Sequence, residues 1–240
     1  MNAIQTHALT RCFKEKTAVD ALELTVPEGE LFALLGVNGA GKTTTIKLLS
    51  GLLAPTSGEA EIFGVSIRSQ KVKHLLAVSP QETAVAPNLT VRENLELMAG
   101  IADASRKDAK ARAERMLDEV RLREVAEKRA KTLSGGWQRR LSIAMALISE
   151  PKLLFLDEPT LGLDVLARRE LWQEIEALKG RITIVLTTHY MEEAEQLADR
   201  VGIMANGKLR VCGTPAELIA RAGKASFEDA FVALAGGAEA

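Results

Sequence analysis

Residues 36–43 read Gly-Val-Asn-Gly-Ala-Gly-Lys-Thr, a stretch too rich in glycine to lie inside a helix or a strand. The preceding Leu31–Leu35 is a short apolar run of buried-strand type, and Thr44–Leu49 carries apolar residues at helical spacing. A strand that turns through glycines straight into a helix restricts the chain to layered α/β architectures. Glycines at 36, 39 and 41 permit positive φ and let backbone N–H groups approach an anion, and the helix start adds its partial positive charge. Lys42 is placed to reach outer phosphates and the Thr43 hydroxyl to ligate Mg²⁺. The expected phosphate-binding set is Gly36, Asn38, Gly39, Ala40, Gly41, Lys42, Thr43 and Thr44. The bland alternative is a glycine-rich turn that merely opens a helix; the strand and helix on its flanks argue against it.

With 240 residues the chain suits one large α/β domain, or one core with an inserted subdomain. Net charge is −1, so nothing global points to nucleic acid or an anionic membrane surface. No unbroken apolar run is longer than Ile143–Ile148, far short of the ~18 residues of a span, so no direct membrane insertion is expected. The first residues lack a charged and then apolar export signal. Cys12 and Cys212 are isolated, read best as buried small residues, and fit a reducing cytosol.

Strand candidates at Leu31–Leu35, Leu75–Val78, Leu153–Leu156, Ile182–Leu186 and Val201–Met204 alternate with helical patterns, which predicts a mostly parallel sheet. Ala3–Leu9, Ala21–Val26 and Ala60–Phe63 are shorter and broken by turns, which suits an antiparallel part beside it. Between Glu82 and Ile148 the pattern is helical: Val91–Ile101 opens behind a Thr90 cap with Glu93 completing a capping box, and Arg106–Leu122 carries Met116, Leu117 and Val120 on one stripe. The expected division is an α/β core over 1–81 and 149–214, a helical subdomain over 82–148 and C-terminal helices over 215–240.

Leu153–Leu156 runs directly into Asp157, Glu158 and Pro159. A carboxylate ending a central strand beside a phosphate loop suits Mg²⁺, while the next acid, pointing elsewhere, can polarise a water for attack on a terminal phosphate. Asp157 and Glu158 take those expected roles, although a strand ending in two acids is common by itself. Leu133-Ser134-Gly135-Gly136-Trp137-Gln138 then offers a second anion-binding helix start: a capping serine, two glycines with exposed N–H groups, and an arginine-bearing helix. One nucleotide needs only one such cradle.

Leu133–Gly136, ahead of Leu153–Glu158, resembles the signature peptide of ABC-type ATPases. The resemblance runs from Leu9 to about Leu234. It implies a P-loop NTPase core that binds and hydrolyses ATP with Mg²⁺. It also implies a head-to-tail pair, a second copy or a paralogue, in which Ser134, Gly135 and Gly136 close over the γ-phosphate held by the other chain. Gln81 matches the glutamine that contacts metal and attacking water, Asp164 of Gly162-Leu163-Asp164 the residue that reaches across the pair, and His189 the γ-phosphate switch that steadies Glu158. Alone, a strand-end histidine is more often structural. Phe13 stands where an aromatic stacks on adenine; Tyr is more usual there, and a core Phe is the other reading. Trp137 departs from the usual Gln, an exchange expected to alter rate or coupling and not binding.

Thr188–Glu195 and Phe227–Phe231 are similar to drug- and antibiotic-resistance-type exporters, whose bacterial and archaeal members pair such a chain with a separate transmembrane permease. That resemblance implies a cytoplasmic subunit, peripheral on the inner face of the cell membrane. The competing class is a soluble, non-transport ABC ATPase with a mechanical or scaffold role. Against it stand the lack of a coiled-coil insertion and the single cassette.

Overall fold

The computed structural model describes residues 1–102 and 104–236; the last part of the expected 215–240 tail, residues 237–240, lies outside the described residues. In chain order the first elements are β1 (Asn2–Phe13), β2 (Lys16–Leu22), β3 (Thr25–Pro27), β4 (Leu31–Leu35), α1 (Lys42–Leu49), β5 (Ser57–Ile62), β6 (Val65–Ser66) and β7 (Leu76–Ser79). Next come α2 (Val91–Ile101), α3 (Arg106–Glu119), α4 (Gly135–Leu147), β8 (Leu153–Asp157), α5 (Val165–Glu176) and β9 (Thr183–Thr188). The chain continues through α6 (Met191–Leu197), β10 (Arg200–Ala205), β11 (Lys208–Gly213), α7 (Pro215–Ala222) and α8 (Phe227–Gly236).

A six-stranded sheet runs in the order β11-β10-β4-β9-β8-β7, parallel except for its β11 edge. Its strands alternate between two cores. Leu31, Ala33 and Leu35 of β4 face the cluster that gathers helices α2 to α6, while Phe32 and Leu34 face the cluster shared with α1 and the antiparallel sheet. Because both faces are covered, β4, β8 and β9 are buried from end to end, and their stretches Leu31–Leu35, Leu153–Leu156 and Ile184–Leu186 are unbroken apolar runs. The second sheet, order β2-β1-β5-β6 with β3 also on β1, is antiparallel.

Several elements depart from the sequence reading for local reasons. Ala21–Val26 is not one strand: Ala21 adopts φ 45°, β2 ends at Leu22, and a new strand starts at Thr25. The helix begun at Arg106 stops at Glu119, and Arg121 at φ 54° turns the chain, although Met116, Leu117 and Val120 are all buried as one stripe. Thr90 and Glu93 form the reciprocal capping box ahead of α2. Cys12 and Cys212 are free thiols only half buried, and burial pushes the Cys212 thiol up from its ordinary pKa. Among the described residues no helix is long and apolar enough to cross a membrane.

Candidate active site

Four neighbouring parallel strands end at one edge of the sheet, and each delivers a candidate residue there. β4 opens into the 36–43 loop, β7 leads to Gln81, β8 ends at Asp157 and Glu158, and β9 leads to His189. This carboxyl edge is where open parallel sheets bind ligands. Phe13, residues 38–44, Gln81, Glu158 and His189 line one cleft of about 510 Å³. Phe13 is 44% exposed under the Arg11 guanidinium and is therefore not a core residue.

The loop glycines divide the work differently from the sequence reading. Gly41 holds φ 109°, and a Cβ there would meet the Ala18 carbonyl at 2.3 Å. Gly36 is absent from the positive-φ positions; it is needed because a Cβ would meet the Met204 carbonyl at 2.4 Å. Lys42 is only 5% exposed. Its ammonium donates to the Gly36 carbonyl at 2.7 Å and the Val37 carbonyl at 3.3 Å, and pairs with Glu158 Oε1 at 3.1 Å. A cation already buried against the loop is aimed where a terminal phosphate would replace Glu158 as its anionic partner.

Asp157 lies beneath the cleft. Its Oδ1 accepts hydrogen bonds from Thr43 Oγ1 at 3.0 Å and Thr187 Oγ1 at 2.6 Å. Thr43 and Asp157 supply the hard oxygen donors that Mg²⁺ prefers. Among the described residues no group of three or more His, Cys, Asp or Glu is arranged to hold a metal, so an ion here would complete its shell with phosphate oxygens and water. Glu158 diverges from Asp157 because its backbone sits at φ 48°, a strained left-handed conformation, just before Pro159. Its N–H is anchored on Thr187 O and Oγ1, both at 3.1 Å, and its Oε2 lies 2.7 Å from His189 Nδ1.

Ser134, Gly135, Gly136 and Asp164 do not line this cleft. Ser134 occupies the cap position of α4, yet its hydroxyl makes no capping bond, contrary to the expected cap, and Ser134 and Gly135 are exposed. The first N–H groups of α4 therefore point out of the helix without a partner inside it. Asp164 caps α5, accepting from Leu166 and Ala167 N–H at 2.9 Å each. The arginines after the signature serve other ends. Arg140 pairs with Glu170 at 2.6 Å and Glu174 at 3.0 Å on α5, and its guanidinium lies 4.7 Å from the Trp137 ring centre. Burial pushes the Glu174 carboxyl up to about 7. Trp137 is thus part of an α4–α5 contact, and Trp137→Gln should change turnover by about tenfold or less while ATP affinity stays put; unchanged turnover and dimerisation would show the position to be neutral.

Two buried groups beside the site escape a reading by motif. Thr187 bridges Asp157 and the Glu158 backbone, and its place in the threonine pair that follows Ile184–Leu186 was its only signal. Glu193 is 0% exposed, accepts from Trp172 Nε1 at 3.1 Å, and is pushed up in pKa by burial, with Thr188, Thr160 and Trp172 partly offsetting this. Its position four residues after His189, in the first turn of α6, was the available clue.

The family described as "ABC transporter" matches residues 19–161. The chain is 43% identical over 239 residues to ABC transporter A family member 9 of Arabidopsis thaliana, covering 92% of this chain and 25% of that protein. It is 41% identical over 219 residues to the daunorubicin/doxorubicin resistance ATP-binding protein DrrA of Streptomyces peucetius, covering 90% of this chain and 66% of DrrA. It thus spans about a quarter to two thirds of the length of these relatives. A solved ATP-binding subunit of an ABC transporter superposes with TM-score 0.85 at 30% identity, covering 97% and 99% of the two chains. A dimeric ATP-binding cassette in a post-hydrolysis state, bound to ADP and Pi, gives TM-score 0.79 at 25% identity, covering 88% and 98%. With its P-loop fold and its cleft at the carboxyl edge of the sheet, the chain belongs to the ABC transporter family and is an ATP-binding ATPase unit of it.

Proposed function

We propose that the chain hydrolyses MgATP between two copies, or between itself and a paralogue, laid head to tail, and that closure of the pair drives export through a separate permease. One observation carries the dimer: Ser134–Gly136, an exposed helix start with an unused cap, lies outside the cleft formed by its own phosphate loop. A second chain laid across the cleft brings its own cradle to the γ-phosphate. The relative bound to ADP and Pi is described as dimeric, and DrrA as a resistance protein, which supports export. The permease would place the chain on the cytoplasmic face of the membrane, with the 82–148 helices as the arm that reaches it.

Within each site, Phe13 stacks on the base, and the N–H groups of residues 38–44 together with Lys42 hold the phosphates. Thr43, Asp157 and Gln81 are the residues to hold Mg²⁺, which when bound would neutralise developing phosphate charge. Glu158, oriented by His189, accepts the proton of the attacking water. Asp164, exposed at the α5 start, lies toward the opposing chain.

Gly135→Asp tests the cradle. A Cβ at Gly135 meets nothing nearer than Leu163 Cδ2 at 3.8 Å, so the fold tolerates it while a carboxylate enters the anion site. ATP affinity of the single chain should be unchanged, and hydrolysis should fall by about 100-fold. Wild-type hydrolysis in that variant would refute the second-chain cradle. Co-purification with a multi-span membrane protein tests the permease; a chain that hydrolyses ATP as a dimer but captures no such protein favours the soluble, mechanical class.

A further inference from the structure

Gln81 lines the cleft of its own chain, but the residues that hold its backbone belong to the helix that begins with the cradle for the other site. Three consecutive residues are tied to α4. Ser79 Oγ lies 2.9 Å from Ser142 Oγ, and Arg139 donates to the Pro80 carbonyl at 2.7 Å and the Gln81 carbonyl at 2.6 Å. Arg139 is 5% exposed and lies one helical turn past Gly136. It forms no ion pair among the described residues, so the two carbonyls are its direct partners. Burial pushes its pKa down, and the nearby negative charges of Asp157 and Glu193 work against that shift. A guanidinium fork that holds two adjacent carbonyls fixes direction as well as distance, which an ammonium cannot do.

We propose that Arg139 is a positioning residue that couples the two ATP sites of the dimer, transmitting engagement of Ser134–Gly136 by the partner's nucleotide to Gln81 in its own cleft. The inference rests on the dimer proposed above. When a γ-phosphate seats at the start of α4, the helix is fixed against the partner chain. Arg139 and Ser142 then carry that position to the main chain of residues 79–81 and set where the Gln81 side chain meets the attacking water. Each site therefore prepares the Gln81 of the other, and hydrolysis depends cooperatively on ATP.

The test compares wild type, Arg139→Gln and Arg139→Lys as full chains. It reads the ATP dependence of hydrolysis, the affinity for a fluorescent ATP analogue and ATP-dependent dimerisation in the Glu158→Gln background. Wild type should show a Hill coefficient near the limit of about 2 set by two sites. Arg139→Gln should lower turnover about tenfold, bring the Hill coefficient to about 1 and leave analogue affinity within about twofold. Arg139→Lys, which keeps the buried charge but loses the fork, should fall between them and carries the test alone if Arg139→Gln does not fold. Wild-type turnover and cooperativity in Arg139→Lys and Arg139→Gln overturn the inference, as does a parallel loss of analogue binding, which would mark a merely structural role. A wild type that dimerises with a Hill coefficient of 1 overturns the coupling alone; a wild type that never dimerises overturns the dimer and the coupling together.

Discussion

Glu158→Gln should bind ATP at wild-type affinity, hydrolyse it about 100-fold more slowly or worse, and accumulate as a dimer on gel filtration in MgATP. The substitution is nearly isosteric and leaves the φ 48° backbone, held through Thr187, undisturbed. Its amide can still meet His189, so the geometry at 2.7 Å survives while the proton acceptor is lost. Removing a buried carboxylate from the cleft also lowers repulsion against the γ-phosphate, which favours the closed pair. Turnover near the wild-type rate would remove Glu158 as the base.

Lys42→Ala should weaken ATP binding itself, by roughly 10- to 100-fold, because one buried, charge-assisted donor set is lost. The same change strips the cationic partner from one Glu158 oxygen and a donor from the Gly36 and Val37 carbonyls. The nucleotide-free chain should therefore also melt earlier, by up to about 3 kcal/mol of stability, with His189 limiting the loss. Calorimetric titration with ATP separates the two effects; unchanged affinity would contradict the phosphate assignment. The contrast with Glu158→Gln matters most: one variant fails to bind, the other binds and stalls.

Most of the central sheet was legible because its strands are buried on both faces. Leu31–Leu35 was read with its full bounds, and Leu153–Leu156 and Ile182–Leu186 within two residues of each end. The periphery was harder. β11 went unread even though Asn206 and Gly207, at φ 52° and 77°, form the Asn-Gly turn that announces a hairpin. β2 was lost because half-exposed strands with bulges lack a clean alternation, and β1 pairs it through register shifts.

The site divides along the same line. Loop, carboxylates, histidine and signature were readable because each needs particular residue types at local spacing: glycines where a Cβ would strike a carbonyl, acids at the end of an apolar strand. Thr187, Glu193 and Arg139 were not, because the weak local signals of the first two and the helical place of Arg139 do not separate them from their solvated counterparts. Their roles come from burial beside groups far away in the chain. The linear order of residues thus pointed to a nucleotide-binding chain and nominated the residues proposed to hold the nucleotide. Only the tertiary structure decided that Ser134–Gly136 lies outside the cleft of its own phosphate loop, and that a buried guanidinium joins the helix it opens to the main chain of Gln81. Orientation across strands is set by packing, and no local pattern in the sequence encodes it.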